Sequence, residues 1–235
     1  MLPAPAGVFK GPGVRPAPPP PRSCPTRAAG ILHAVRRLNV TLAVKRLVRD
    51  LAARVPELSH VRASRVLIVA GEARRASRAT IRPAHFKETR ARAGSGKREK
   101  PLIRVKGRKI LYVITLRPLW FLASTPRERI GTIVHELYHA SPRWDGTLHR
   151  GRRHSRLPLA RYNRRVRSLL DRYLEVAPAE IVAPFSAEGL VRARMWLERP
   201  GGSYPGDAYR GRRVYTERQL FYGLARMVTR RRKAR

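Results

Sequence analysis

The sequence predicts an α+β fold, and three observations carry that reading. Apolar residues recur at helical spacing from Leu38 to Val55, with Arg and Lys between them. Two short runs rich in β-branched residues, Val66 to Ala70 and Ile110 to Leu116, read as strands. A second amphipathic helix opens at Thr125-Pro126-Arg127-Glu128, where Thr caps, Pro suits the first helical position and Glu completes a capping box. With 43% hydrophobic residues among 235, the chain can fill a core, and its length suits one catalytic-sized domain with extensions.

Taken in order, residues 1–30 are dense in proline, which forbids helix and central strand, so a disordered leader is expected. The helix of 38–55 stops at Pro56. The run 66–70 ends at Gly71 as a buried strand, and Ala79 to Phe86 is a second strand weakened by Pro83. Residues 87–100 are Arg, Lys, Gly and Ser and read as a surface loop. Leu102 to Val105 and Ile110 to Leu116 form a hairpin across Lys106-Gly107-Arg108-Lys109. The capped helix runs from Pro126 to about Ala140, with Ile130, Ile133, Val134 and Leu137 as its core-facing stripe, and Pro142 closes it.

Ala160 to Leu174 is a further amphipathic helix, apolar through Tyr162, Val166, Leu169, Leu170 and Tyr173 and basic on its outer face. Beyond Pro178, Leu190 to Leu197 reads as a strand, Gly201 to Gly211 as a loop, and Thr216 to Val228 as a helix with Leu220, Phe221, Leu224 and Met227 on one face. A basic tail follows from Arg230. The organisation expected is therefore a leader at 1–30, a principal domain at 38–175 and a C-terminal extension at 176–235.

Composition narrows the chemistry. Cys24 is the sole cysteine, which excludes an internal disulfide and a thiolate cluster, so any metal must be held by His and carboxylates. No stretch reaches the roughly 18 apolar residues of a membrane span, and no secretory signal pattern opens the chain, so a cytoplasmic protein is expected. The formal charge of +37 comes from 44 Arg and 8 Lys against 15 acidic residues. Abundant Ala, Pro and Gly accompany the Arg, as GC-rich codon usage would produce, yet such a surface attracts DNA or RNA whatever its origin.

Within the capped helix lies His135-Glu136-Leu137-Tyr138-His139, an HExxH motif. Histidines at i and i+4 share a face and can direct imidazole nitrogens at one Zn²⁺. Glu136 is rotated from that face, close enough to take a proton from a water activated by the ion and to return it to a leaving amine. A third ligand must come from elsewhere. His149 and His154 follow, and Pro142 and Gly146 let the chain turn back toward the helix; Glu175 and Glu180 are weaker possibilities. The spacing does not fit the longer HExxH-x-x-G-x-x-H pattern, because position 145 is Asp. Asp145 either accepts a ligand histidine's ring N–H or serves as a turn residue ahead of Gly146. Tyr162 or Arg153 is a candidate oxyanion stabiliser by proximity in sequence.

From Val48 to Tyr173 the chain resembles the phage-type metallopeptidases, relatives in pattern of the SprT-like zinc proteins. The likeness rests on Val48-Arg49-Asp50-Leu51, on Pro56-Glu57-Leu58 and the strand after it, on Leu111-Tyr112-Val113, and above all on the run from His135 to Gly146, which ends Trp144-Asp145-Gly146. The resemblance implies a zincin-like domain, a small sheet packed with the HExxH helix, and it puts the third ligand at His154. Thr147 and His149 stand where that pattern usually has Asp and Arg.

Two functional expectations follow. One is a zinc metallopeptidase acting on a protein or peptide substrate, with His135, His139 and His154 as ligands and Glu136 as general base. The other is a basic nucleic-acid-binding protein whose zinc site is structural or idle.

Overall fold

The computed structural model describes residues 37–72, 77–84, 102–152, 158–200 and 214–229. The expected leader, the loop 87–100, the loop 201–211, the tail, Cys24, Arg153 and His154 lie outside the described residues.

Helix α1 (Val40–Arg54) starts where the Asn39 side chain accepts the Leu42 N–H, 3.0 Å away, and ends before Pro56. It buries Val44, Leu47, Val48 and Leu51 of the apolar pattern together with Val40, while Leu42 is exposed. Strand β1 (Val66–Ala70) is buried along its whole length, as its unbroken apolar run requires. Strands β2 (Ala79–Pro83), β3 (Leu102–Val105), β4 (Arg108–Lys109) and β5 (Tyr112–Leu116) follow. A short helix α2 (Pro118–Phe121) precedes α3 (Pro126–Tyr138), whose capping box between Thr125 and Glu128 is formed as expected. Helices α4 (Leu159–Val176) and α5 (Ala179–Val182) and strands β6 (Gly189–Trp196), β7 (Val214–Tyr215) and β8 (Leu220–Met227) complete the described chain. The class is mixed α and β, as expected.

One five-stranded sheet has the order β2-β5-β1-β6-β8. β1 runs parallel to β5 and to β6, while β2 and β8 pair antiparallel at the two edges. Val66, Ile68 and Ala70 face α1, α3 and α4 in the main core, whereas Leu67 and Val69 pack with Ile103, Ile110 and Tyr215 of the smaller β4-β3-β7 sheet. Alternate residues of one strand thus serve two cores.

Three expectations are corrected. The hairpin is short: Lys106 and Gly107, with φ of 51° and 71°, form a two-residue turn, and β3 pairs antiparallel only with Arg108 and Lys109. The chain then leaves β3, and β5 enters the main sheet between β1 and β2, where its apolar side chains have more to bury against. Residues 220–227 form a strand rather than a helix. Thr216 does cap, but the turn it opens ends at Gln219, and Phe221-Tyr222 suits a strand paired with β6 over eight positions. Residues 176–229, set apart above as an extension, supply β6, β7 and β8, so the main sheet takes two of its five strands from them.

The same segment is tied to the motif helix by a buried cation. Arg129 is wholly inaccessible, and its guanidinium donates to the carbonyls of Phe121, Leu122, Phe185 and Val228. Burial lowers its affinity for the proton, and Glu188 and Glu128 oppose that effect.

Candidate metal centre

His135 stands in the last turn of α3 and His139 is its C-cap, so the helix brings the two rings to one side. Their Nε2 atoms are 3.3 Å apart and the ring planes meet at 79°. Two nitrogens bound at 2.0–2.1 Å to a tetrahedral zinc lie about 3.3–3.4 Å apart, so the pair fits one ion without rearrangement.

The tautomer of His139 is fixed by the loop that follows. Trp144 (φ 50°) and Gly146 (φ 86°) occupy the left-handed region, which turns the chain sharply. The Gly146 N–H donates to the Tyr112 hydroxyl, 3.2 Å away, and that hydroxyl donates to the Thr147 carbonyl at 2.7 Å. Ala140 and Leu148 bridge antiparallel, and the His149 N–H reaches the His139 carbonyl. The returning chain sets the Arg152 carbonyl 2.8 Å from His139 Nδ1. A carbonyl only accepts, so Nδ1 carries the proton and Nε2 presents its lone pair toward His135.

Asp145 forms an Asx turn, accepting from the Thr147 N–H at 3.0 Å and from its hydroxyl at 2.6 Å. This is the turn role expected of it, and the bond to His139 Nδ1 comes from the Arg152 main chain. No side-chain pattern encodes a carbonyl contact, which is why the sequence did not expose Arg152.

Tyr162, on α4, is the wall of the site. Its ring stacks on His139 at 16° and meets His135 edge-on, each at 4.9 Å between centroids. Its hydroxyl donates to the His135 carbonyl at 2.9 Å, which ties the ring to the helix backbone. Burial, reinforced by Glu136 and Tyr138, pushes its ionisation far up, and the phenol stays neutral. Tyr162, the residue considered above as an oxyanion stabiliser, thus packs against both histidines.

Gly131 brings α4 this close. A Cβ there would stand 2.9 Å from Leu170 Cδ2, a separation that side chains do not tolerate.

Glu136 is buried at 8% exposure, and Oε2 accepts the Ile81 N–H of edge strand β2 at 2.7 Å. Burial raises its pKa from 4.5 to about 8 and the Ile81 bond only partly opposes this, so the metal-free carboxyl is largely protonated at neutral pH. His135 and Glu136 line a groove of about 730 Å³ between β2, α3 and α4, flanked by Arg78, Glu128 and Arg167. The link from Ile81 to Glu136 joins two distant segments and has no local sequence signal.

Among the described residues no third His, Cys, Asp or Glu joins the pair. His149 is not gathered with it; among the described residues its buried Nδ1 has no hydrogen-bond partner, and burial with nearby Arg152 lowers its pKa. Glu175 and Glu180 are exposed on α4 and α5. Arg152, whose carbonyl meets His139, is two residues before His154 in the chain.

Comparison of the chain with protein-family profiles, curated proteins and solved structures finds no match.

Proposed function

We propose that this protein is a zinc-dependent peptide hydrolase of the zincin type, akin to the phage-type and SprT-like metallopeptidases. The observation that carries the reading is the convergence of His135 and His139 Nε2 at 3.3 Å, with the His139 lone pair turned inward by the Arg152 carbonyl. His135, His139 and His154 would hold the ion, His154 being within two residues of a contact already made to His139. Bound zinc supplies a Lewis acid that polarises a carbonyl and lowers the pKa of water.

The chain's own residues do the rest. Glu136, held through one oxygen by Ile81, accepts a proton from the attacking water and delivers it to the leaving amine. Its high proton affinity in the buried setting favours the first half of that cycle. β2 lies at the sheet edge beside the groove, which suits an extended peptide laid along it. Tyr162 keeps both imidazoles from rotating.

The test combines metal content with turnover. Elemental analysis should find one zinc per chain in the parent and in Glu136→Gln, and a strong loss in His139→Ala and His154→Ala. Glu136→Gln should cut cleavage of a peptide library by at least about 10²-fold. Zinc-free parent protein, or parental turnover in Glu136→Gln, would refute the proposal.

A further inference from the structure

A second concave site lies away from the zinc groove. β1 and β6 are registered only at Ala70 and Met195, near their C-terminal ends, and toward their N-terminal ends they diverge. The start of α1 fills part of that gap: the Arg192 N–H donates to the Leu38 carbonyl, and the Arg194 N–H to the Thr41 hydroxyl. What remains is a cleft of about 430 Å³ between α1, the β3–β4 turn and the β6–β8 ribbon.

Five cations, Lys45, Arg49, Lys106, Arg108 and Arg194, line this cleft. Among the described residues no acidic side chain lines it, and at its rim the Glu217 carboxylate accepts the Lys106 N–H. Lys45 is half-buried with Nζ 2.5 Å from the Val66 carbonyl, and burial with the charges of Arg194, Arg49 and Arg108 lowers its pKa to about 8. Like charges held this close cost free energy that a bound polyanion recovers.

The cleft opens onto the outer face of β6 and β8. Cross-strand register puts Arg192, Arg194, Tyr222 and Leu224 on that face, and Leu224 and Tyr222 are largely exposed. The Arg192 and Arg194 guanidinium carbons sit 5.1 and 5.3 Å from the Tyr222 ring centre, and Arg194 also donates to its hydroxyl. A ring braced by two guanidinium groups beside a cationic cleft combines a stacking surface with phosphate-sized charges.

We propose that this cleft binds the phosphodiester backbone of a single-stranded nucleic acid, with Tyr222 and the open β6–β8 face receiving its bases. A duplex keeps its bases stacked inside and cannot use that face. The site is independent of zinc and separate from the metal centre.

The probe is a fluorescein-labelled dT15 oligonucleotide, read by anisotropy across a salt series on the full chain. Arg49→Glu with Arg108→Glu should weaken binding at least tenfold and reduce the slope of log K against log salt by about 1.4, two phosphate contacts at roughly 0.7 each. Arg161→Glu with Arg164→Glu on α4 changes the net charge equally and should cost less than threefold. Tyr222→Ala should cost roughly tenfold with little change in slope. Both charge-reversed pairs are exposed, and matching thermal melts verify folding. Equal losses in the two pairs would reduce the effect to overall charge and overturn the proposal. So would equal affinity for a blunt duplex, displacement by thymidine triphosphate at equal nucleotide concentration, or displacement by poly-glutamate at equal charge.

Discussion

Replacing Glu136 by Gln should stabilise the metal-free protein, and the gain should depend on pH in a calculable way. The carboxyl has a folded pKa of about 8 against an ordinary 4.5. A group whose pKa is raised on folding contributes its full stability below the unfolded value and loses it as pH rises to the folded value. At pH 4 both states are protonated and Gln should behave like Glu. At pH 7 the unfolded chain is ionised while the folded one still binds the proton. At about 1.4 kcal/mol per pKa unit, the penalty is about 3 kcal/mol, and it levels off above pH 8. Gln keeps an oxygen for the Ile81 N–H and carries no such penalty. For a protein of this size about 3 kcal/mol corresponds to a rise in Tm of roughly 6–12 °C. Thermal melts in a chelating buffer at pH 4, 5.5, 7 and 8.5 measure it, and added zinc should narrow the gap by favouring the carboxylate. A Tm difference under 2 °C at pH 7 and 8.5 would refute the burial argument.

Two further perturbations test the frame around the site. Arg129→Met takes the guanidinium from the Phe185 and Val228 carbonyls, while Phe121 and Leu122 still accept the Ser124 and Val228 N–H groups, so urea unfolding should show a loss of about 3–5 kcal/mol; a loss under 1 kcal/mol would mean those groups find water. Gly131→Val crowds Leu170 Cδ2 in the α3–α4 contact, with further methyls beyond the Cβ, so stability should fall by about 1–3 kcal/mol. Zinc affinity should fall with it, because Tyr162 rides on α4 against both histidines; unchanged affinity in a zinc titration would show that the tyrosine wall is dispensable.

What the sequence made legible is what local chemistry encodes. Thr125 marks a helix start through bonds made within three residues and Pro126 through its fixed φ, while α1 and α4 formed where the helical period of apolar residues ran. His135 and His139 converge because one turn of helix dictates it. The misreadings lie where partners are remote. Leu220 to Met227 satisfies a helical pattern almost as well as a strand pattern, and pairing with β6 some thirty residues earlier decides between them. The same holds for β5, drawn from β3 into the main sheet. Glu136 was read as the base from its place in the motif, but the Ile81 contact that holds it depends on the sheet edge arriving over the helix. The basic cleft was hidden for a related reason: its cations come from α1, the β3–β4 turn and β6, and in the chain they look like scattered members of a general excess.

The clamp at Arg129 also sets a clock. Its last acceptor, the Val228 carbonyl, lies 99 residues further along the chain. At a synthesis rate of about 5–20 residues per second, the helix bearing His135 and His139 waits about 5–20 s for that partner to be made. During this interval β6 and β8 are also missing from the sheet. A product ending before Val228 would therefore carry the whole motif on a helix whose Arg129 keeps only three of its four carbonyl partners.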